Sequence, residues 1–486
     1  MKKLNLSTKK DPKIALISLE KEVHNSPPTS LVYLATSLKE RGGFQNIKII
    51  DMHFDNVNEE LGKFNPDIIG ITSMTVDYQD VLVFAKNYKK KKNIPIIIGG
   101  VHISTLPSSF ESCFDVGVIG EGEETLRELV ELFIEKQKFE TKDLRKIKGV
   151  IYLKNEKIKL TKLRSPIDID TLPFPDYTFV RKEYFEKQHF AGMKSFLIPT
   201  FILTSRGCPY QCKFCSTTKF WGRVRLHSPK YIARLIKHSV ENYNSNYILI
   251  MDDLFTMSSD WLKKIKEELE ELNILEKIEG MDCAARSNLI DDEMCKVFKE
   301  LKVKMVNFGF ESGSERMLKW LKGGSVTVKD HKNAIRLCKK YKLMVFGSLI
   351  FGSPGEKIED MRETLKFIDF AIQNKVDYLW SFIATPFPAT VFWTIASQRG
   401  KVNTKKDWNL LAINMNDSNL NNPPLLDSDV DNNEFKKIIC EAEKKLRKMR
   451  INQMLISIRS NPFEIFKVFF SNPKYYTIKF IQRFYK

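Results

Sequence analysis

Three cysteines, Cys208, Cys212 and Cys215, stand within eight positions of this 486-residue chain, while its other five are scattered. In Gly207-Cys208-Pro209-Tyr210-Gln211-Cys212-Lys213-Phe214-Cys215 their spacing is C-x3-C-x2-C. Three thiolates can hold three irons of a cubane four-iron cluster. Such clusters ordinarily take four cysteines, so the missing fourth leaves one iron open to a substrate or cofactor with oxygen and nitrogen donors. An open iron suits chemistry better than electron storage. The competing reading is a zinc site with His227 as fourth ligand, which an x3 spacing on a strand-to-helix loop fits poorly. Eight cysteines in this length are too few for a disulfide framework.

The elements that must position this loop are legible around it. Apolar runs at Phe201-Ile202-Leu203, Tyr247-Ile248-Leu249-Ile250, Met281-Asp282-Cys283, Val306-Asn307-Phe308-Gly309-Phe310, Leu349-Ile350-Phe351 and Leu379-Trp380-Ser381-Phe382 alternate with helical patterns. Six βα units predict a partial (β/α)6 barrel of the TIM type over residues 196–400. Asp252, Asp253, Arg286, Glu311, Ser312 and Gly352 end these strands and so crowd one mouth, where barrels place chemistry.

Residues 1–150 repeat the βα unit on another plan. Ile14-Ala15-Leu16-Ile17-Ser18-Leu19, Ile47-Lys48-Ile49-Ile50, Ile68-Ile69-Gly70-Ile71-Thr72, Ile94-Pro95-Ile96-Ile97-Ile98 and Val116-Gly117-Val118-Ile119 predict five parallel strands, with helices at 30–40 and 123–135 among those between them. The expected fold is doubly wound and Rossmann-like, with a ligand beyond the strands' carboxyl ends. Those ends carry Thr72-Ser73-Met74, Gly99-Gly100-Val101-His102 and Gly120-Glu121-Gly122-Glu123, where glycine lets a bulky ligand approach the backbone. No G-x-G-x-x-G follows the first strand, which disfavours a nicotinamide or flavin dinucleotide. His53, after the second strand, reads as a surface residue rather than a metal ligand.

Composition bounds the rest. A chain of this length with 43% hydrophobic and 28% charged residues is globular, with two or three domains. The first ten residues lack the apolar core of a secretory signal and no run of 18 apolar residues occurs, so a cytoplasmic, non-spanning protein is expected. Residues 151–195 read as a hairpin and a proline-marked linker, and 401–486 as a loop followed by a basic, aromatic-rich helical extension. Of the net charge of +18, residues 434–486 supply +9, from 13 basic and four acidic side chains, and nine aromatics fall in the last 24 residues. Two readings stand for this tail: peripheral contact with an anionic membrane or a lid over a lipid-like substrate, and a helical layer packed on the barrel with its charges solvated. The loop at 412–433 reads as a lid or an insert.

Residues 208–215 resemble the cluster-binding loop of the radical S-adenosylmethionine (radical SAM) enzymes, including aromatic Phe214 before the last cysteine. Met251-Asp252-Asp253-Leu254-Phe255 resembles their second-strand segment at the methionine amino group, and Gly309-Phe310-Glu311-Ser312-Gly313 their fourth-strand motif at the ribose. Gly347-Ser348-Leu349-Ile350-Phe351-Gly352-Ser353-Pro354-Gly355-Glu356 resembles the segment near adenine, and the resemblance makes Arg286 a partner of the methionine carboxylate. The N-terminal half, with Pro27-Pro28, is similar to the cobalamin-binding domain fused to one large subclass. There the similarity implies Thr72, Ser73, Gly99, Gly100, His102, Gly120, Glu121 and Gly122 as cobalamin contacts. The likeness covers residues 12–395. It departs at Asp51-x-His53, which follows the second strand and has Asn56 where a histidine-ligand loop has glycine, so cobalt without a histidine ligand is expected. It departs again at Pro386-Phe387-Pro388-Ala389-Thr390, where many relatives carry glycine at the alanine.

The resemblance implies reductive cleavage of S-adenosylmethionine at a 4Fe-4S cluster to a 5′-deoxyadenosyl radical, then methylation of an unactivated carbon with cobalamin as methyl carrier. It also implies a reductant such as flavodoxin or ferredoxin and a small-molecule or lipid-like substrate, with no nucleic acid. Cyclisation or rearrangement without methyl transfer is the alternative within the family. A cobalamin- and cluster-binding sensor with a basic tail is the alternative outside enzymology.

Overall fold

The structure, a computed structural model, describes residues 11–20, 26–189, 196–403, 408–411, 426 and 430–460. The chain forms two compact units: residues 1–184 with 219–222 and 403–412, and residues 185–218, 223–402 and 413–486.

The first unit is built on strands β1 (Ile14–Ser18), β2 (Ile47–Asp51), β3 (Ile68–Thr72), β4 (Ile96–Gly99), β5 (Val116–Val118), β6 (Val150–Lys154) and β7 (Lys157–Leu160), in sheet order β2-β1-β3-β4-β5-β6-β7. The first five strands are parallel, with Ile14 opposite both Ile47 and Ile68. Their unbroken apolar runs fit a sheet covered on both faces. Helices α1 (Thr29–Gly42), α2 (Val57–Phe64), α3 (Tyr78–Lys91), α4 (Val101–Thr105) and α5 (Glu123–Lys136) make the crossovers. Strand order reverses at β1, and in such sheets the ligand crevice lies at the reversal, beyond the strands' carboxyl ends.

The hairpin expected in the linker instead extends this sheet: β6 pairs antiparallel with β5 and β7 with β6. Val150, Ile151 and Tyr152 are buried on the open edge of β5, whereas β7 is exposed throughout and ends the sheet with Lys157 and Lys159. This unit therefore runs on to Tyr184 rather than stopping near 150. Trp408, beyond the barrel in sequence, also belongs here, fully buried with its ring 4.8 Å from His102 and 6.0 Å from Tyr78.

The second unit carries β8 (Pro199–Ile202), β9 (Tyr247–Ile250), β10 (Gly280–Ala285), β11 (Val303–Glu311), β12 (Met344–Phe351) and β13 (Tyr378–Ile383), six parallel strands in chain order. Helices α6 (Pro229–Tyr243), α7 (Ser259–Glu271), α8 (Asp292–Glu300), α9 (Glu315–Lys322), α10 (Val328–Lys340), α11 (Ile358–Gln373), α12 (Val391–Gln398) and α13 (Asn432–Ser460) follow the strands. Side chains alternate along each strand. Phe310 faces the helices, 5.0 Å from His331 on α10 and 5.2 Å from Phe367 on α11. A Cβ at neighbouring Gly347 would lie 2.5 Å from the Phe310 ring, which is why β12 has glycine there.

Helix α13 answers part of the question about the basic tail. Phe435, Ile438, Ile439, Ala442, Leu446 and Met449 are buried at helical spacing, and the helix packs on α11 and β13, so here it is a layer on the barrel. The aromatics from Phe463 onward and most of the loop at 412–433 lie outside the described residues. No described helix is long and apolar enough to cross a membrane.

Two histidines sit in these cores. His102 is fully buried, its Nδ1 3.2 Å from Thr75 Oγ1 and its Nε2 3.0 Å from Ser109 Oγ, and stacks on Tyr78 at 3.9 Å. Ser109 gives its own proton to the Leu106 carbonyl, so Nε2–H donates to Ser109 and Nδ1 accepts from Thr75. His331 lies between Ser287 Oγ at 2.6 Å and the Phe310 carbonyl at 2.9 Å. Burial pushes both imidazoles down to about 3. The unfolded chain protonates them near 6.5, so it binds more protons than the folded chain between about pH 6.5 and 3. Each group then removes up to ~1.4 kcal/mol of stability per pH unit as pH falls through that window. Denaturant midpoints are expected to drop between pH 7 and 5, and His102→Gln to flatten that slope for the first unit; an unchanged slope would refute the buried neutral state.

Candidate cluster and cofactor site

The cysteine loop begins where β8 gives way to a two-residue ribbon, Ser205-Arg206 paired antiparallel with Arg225-Leu226. Gly207, at φ 94°, turns the chain out into the loop. The loop backbone is held by the barrel: Lys213 N–H donates to the Leu321 carbonyl at 2.9 Å, and Val391 N–H donates to the Lys213 carbonyl at 2.9 Å. Phe214 packs 6.3 Å from Phe392, which in turn stacks on Trp320, so this aromatic anchors the loop on α9 and α12.

Cys208, Cys212 and Cys215 are all half-buried and free of disulfides. Burial pushes the thiols of Cys208 and Cys215 up, so without a cation they keep their protons, and metal must displace them. His227, the zinc alternative's fourth ligand, is buried with its ring parallel to Tyr231 at 4.0 Å. Among the described residues no three His, Cys, Asp or Glu side chains meet at one ion, as zinc requires, whereas a cubane takes each thiolate on a different iron. A half-buried three-thiol loop on a rigid base fits the cluster.

Arg286, at the end of β10, also reaches the loop from the barrel. Its Nη1 donates to Cys212 Sγ at 3.6 Å, Nη2 to Ser325 Oγ at 2.7 Å and to the Lys322 carbonyl at 3.3 Å, and Nε to Asn288 Oδ1 at 3.1 Å. The guanidinium carbon also lies 3.7 Å over the Tyr210 ring. Sequence resemblance gives this arginine to a methionine carboxylate; in the structure its hydrogen bonds go to the cysteine loop, Asn288 and the 322–325 segment at the end of α9.

The chain of contacts continues through Lys322, whose side chain is 5% exposed and donates to the Gly309 carbonyl, with its Nζ 3.7 Å from Glu311. Burial pushes the Glu311 carboxyl up and the Lys322 ammonium down, each partly offset by the other's charge. Glu311 also bonds Ser348 on β12. A Cβ at Gly309 would fall 2.2 Å from Glu311 Oε1, so glycine there makes room for the carboxylate. Lys322 was not singled out from sequence, although it sits on the buried stripe of α9 with Met317, Leu318 and Leu321. A charge on an apolar helix face was the available signal.

Other expected mouth residues serve the scaffold. Asp252 accepts from Thr204 N–H at 2.7 Å, the Thr204 hydroxyl and the Ser205 hydroxyl at 2.7 Å, with burial raising it to about 6. Those bonds tie the end of β9 to the start of the cysteine loop. Asp253 is exposed and accepts from Thr217, which itself bonds Cys215. Ser312 is fully buried against Thr364 Oγ1 of α11 at 3.2 Å, clear of the mouth. At the end of β12, Gly352 at φ 79° and Ser353 donate their N–H groups to Glu356, a buried acid raised to about 8, which braces this turn from below.

In the first unit, the ends of β3 and β4 meet. A Cβ at Gly100, φ 100°, would stand 2.7 Å from the Ser73 backbone and 2.9 Å from Thr72 Oγ1. Ser73 N–H donates to the Gly99 carbonyl at 3.1 Å and Gly120 N–H to Ser104 Oγ at 2.9 Å, which aligns the third strand end beside them. Thr72, Gly99, Gly100, Gly120 and Gly122 are half-exposed along this edge, a Cβ at Gly120 would meet open space, and adjacent Met74 is 49% exposed. This edge fits a broad, partly apolar group. Three expected contacts are used otherwise: His102 lies in the core, Ser73 is buried and bonds the Met74 carbonyl, and Glu121 accepts from Ile167 N–H at 3.0 Å. Asp51-x-His53 forms a turn at edge strand β2, with Asp51 held by Tyr184 and His53 beside Phe54.

The radical SAM superfamily domain matches residues 202–368 and the B12 binding domain residues 13–130. An uncharacterized methyltransferase of Pyrococcus horikoshii is 31% identical over 385 residues, 76% of this chain and 78% of that one. The anaerobic magnesium-protoporphyrin IX monomethyl ester cyclase of Rubrivivax gelatinosus is 28% identical over 70% of this chain and 62% of its own length. The radical S-adenosylmethionine methyltransferase TsrM of Kitasatospora setae, solved with cobalamin and a [4Fe-4S] cluster, superimposes with a TM-score of 0.62 at 20% identity, over 80% of this chain and 75% of that one. The cofactors that accompany these two domains are a 4Fe-4S cluster, S-adenosylmethionine and cobalamin, and with its anchored three-thiol loop and glycine-lined strand edge this chain belongs to the cobalamin-binding radical SAM enzymes.

Proposed function

We propose that this enzyme transfers a methyl group to an unactivated carbon of a small-molecule or lipid-like substrate. The observation that carries the reading is the joining, in one chain, of a three-thiol loop with an open coordination position and a cobalamin-type strand edge. The methyltransferase relative from Pyrococcus supports it. When bound, the cofactors supply one electron, a carbon-centred radical and a methyl group.

The chain's own residues hold and orient. Arg286 pins the cysteine loop through Cys212 and Tyr210 and keeps a fixed positive charge beside it. Lys322 and Glu311 form a buried, mutually compensated pair that leaves a hydrogen-bonding carboxyl at the mouth, where resemblance puts the ribose. Asp252 ties the loop's root to β9, so the thiols and the strand ends move as one body.

A second reading, ring closure without methyl transfer, is favoured by the Rubrivivax relative, a cyclase by name. Supplying S-adenosylmethionine labelled in its methyl group separates the two. Label carried into product by mass spectrometry supports methylation; an unlabelled cyclised product overturns it. A binding-only sensor would release no 5′-deoxyadenosine on reduction. An electron donor of the flavodoxin or ferredoxin kind is part of this proposal.

Alanine at Cys208, Cys212 or Cys215 is expected to abolish both cluster absorbance and deoxyadenosine release. Arg286→Gln should lower iron retained per chain after gel filtration at least about twofold, with Arg286→Lys intermediate because lysine restores the charge and not the fork; full retention in the glutamine variant would refute the pinning role. Gly309→Ala displaces Glu311 without touching a thiol. It should weaken S-adenosylmethionine binding about tenfold in equilibrium dialysis, roughly the loss of one charge-assisted hydrogen bond, at unchanged iron content.

A further inference from the structure

Arg286 is charged, only 6% exposed, and, among the described residues, paired with no carboxylate. Its four hydrogen bonds go to Asn288 Oδ1, Cys212 Sγ, Ser325 Oγ and the Lys322 carbonyl, none of them an acid. The Tyr210 ring, 3.7 Å from the guanidinium carbon, offers the negative face of its π-system but no net charge. The other charged side chains around the loop are engaged elsewhere. Lys322 Nζ has Glu311 at 3.7 Å, Asp253 is exposed and accepts from Thr217 at 3.0 Å, and Lys213 Nζ stands 5.8 Å over the Trp320 ring.

A buried cation with its N–H groups placed but no opposite charge beside it is costly to keep. The cysteine loop provides that opposite charge once it carries its cluster. Three thiolates on an oxidised four-iron core leave a net negative charge, and the electron given by the reductant adds another, with no bond in the chain made or broken. The reduction potential of such a cluster is set by net charge, hydrogen bonds to its sulfurs and exposure to solvent. Arg286 acts on the first two: it is a fixed cation, and its Nη1 donates to Cys212 Sγ at 3.6 Å. Being buried, it is screened little by salt. The methionine carboxylate that resemblance gives to this arginine is the other candidate anion. Carboxylates take arginine best through two parallel N–H bonds. Here Nε and Nη2 are already engaged by Asn288, Ser325 and Lys322, and Nη1 is turned to sulfur.

We propose that Arg286 tunes the cluster through Cys212: its unpaired charge takes the cluster as counter-ion, favours the reduced form and so raises the reduction potential. The inference rests on the cluster alone and stands apart from methyl transfer, since it concerns how the electron enters and not what the radical then does.

The test is a redox titration with dithionite, followed by electron paramagnetic resonance, on the anaerobically reconstituted full-length enzyme without S-adenosylmethionine, with iron per chain measured on the same samples. Asn288→Asp sets a carboxylate on Nε and keeps the arginine's other bonds, so it cancels the charge and leaves the loop pinned. At a fixed potential its ratio of reduced to oxidised cluster is expected to fall at least about threefold, at unchanged iron content. Arg286→Gln should lower that ratio about tenfold in the clusters it retains, about 59 mV for one electron. Arg286→Lys should stay closer to the wild type, because the charge remains. A potential unchanged in both Asn288→Asp and Arg286→Gln overturns the proposal and leaves Arg286 a pin only; equal shifts in Arg286→Lys and Arg286→Gln overturn the role of charge. An unmoved potential with weakened S-adenosylmethionine binding in Asn288→Asp hands the cation to the methionine carboxylate, which also overturns it. Methyl label in product is read separately, so its absence counts against methylation and not against this role of Arg286.

Discussion

The Arg286 guanidinium, almost wholly buried, donates to a cysteine sulfur, a serine hydroxyl, a main-chain carbonyl and an asparagine while its face covers Tyr210. A buried cation is tolerated only when its donors are met, and here four hydrogen bonds meet them from three separate stretches of chain. Removing it would leave the Lys322 carbonyl, Ser325 and the cysteine loop without the group that holds them in register. Through Lys322 the same network reaches Glu311 and then Ser348, so one connected set of polar contacts runs from the thiol loop to the inner face of the sheet.

Steric exclusion does the complementary work. Gly309 leaves space for a carboxylate, Gly347 for the Phe310 ring, and Gly100 for the Ser73 backbone. Gly313 does the same for α11, where a Cβ would stand 2.7 Å from Thr364 and Phe367. These contacts fix the distance between a strand end and what covers it, and each is closer than a side chain allows. The glycines of the motifs are therefore read as much by packing as by any ligand.

The two units solve the positioning problem differently. In the first, the strand edge is shaped by main-chain contacts among β3, β4 and β5, with a neutral histidine core beneath it and Trp408 closing that core from a distant part of the chain. In the second, side chains do the work, and carboxylates are held high and a lysine low by burial. On α13, Lys436, Lys437, Lys444, Arg447 and Lys448 are exposed off the buried stripe, while Lys445 pairs with Asp369 of α11 at 2.7 Å and Arg450 with Glu443 at 2.8 Å, as an amphipathic covering helix allows.

By itself the sequence determined the alternating βα plan, both parallel sheets, the cysteine loop and the family, because periodicity and fixed spacing are local properties that survive in one dimension. Helix bounds expected at 30–40 and 123–135 became Thr29–Gly42 and Glu123–Lys136. Only the tertiary structure decided what the named side chains touch. Asp252, Ser312 and His102 read as site residues because they end strands, yet each is turned inward to satisfy buried donors and acceptors. Lys322 and Ser325 carry no motif and enter the site through contacts spanning many residues of chain, and the stacking of Arg286 on Tyr210 and the pairing of the hairpin with the first sheet are likewise long-range. A strand end marks where a residue stands; which way it faces depends on the neighbours that fill the space around it, and those neighbours are brought there by the fold.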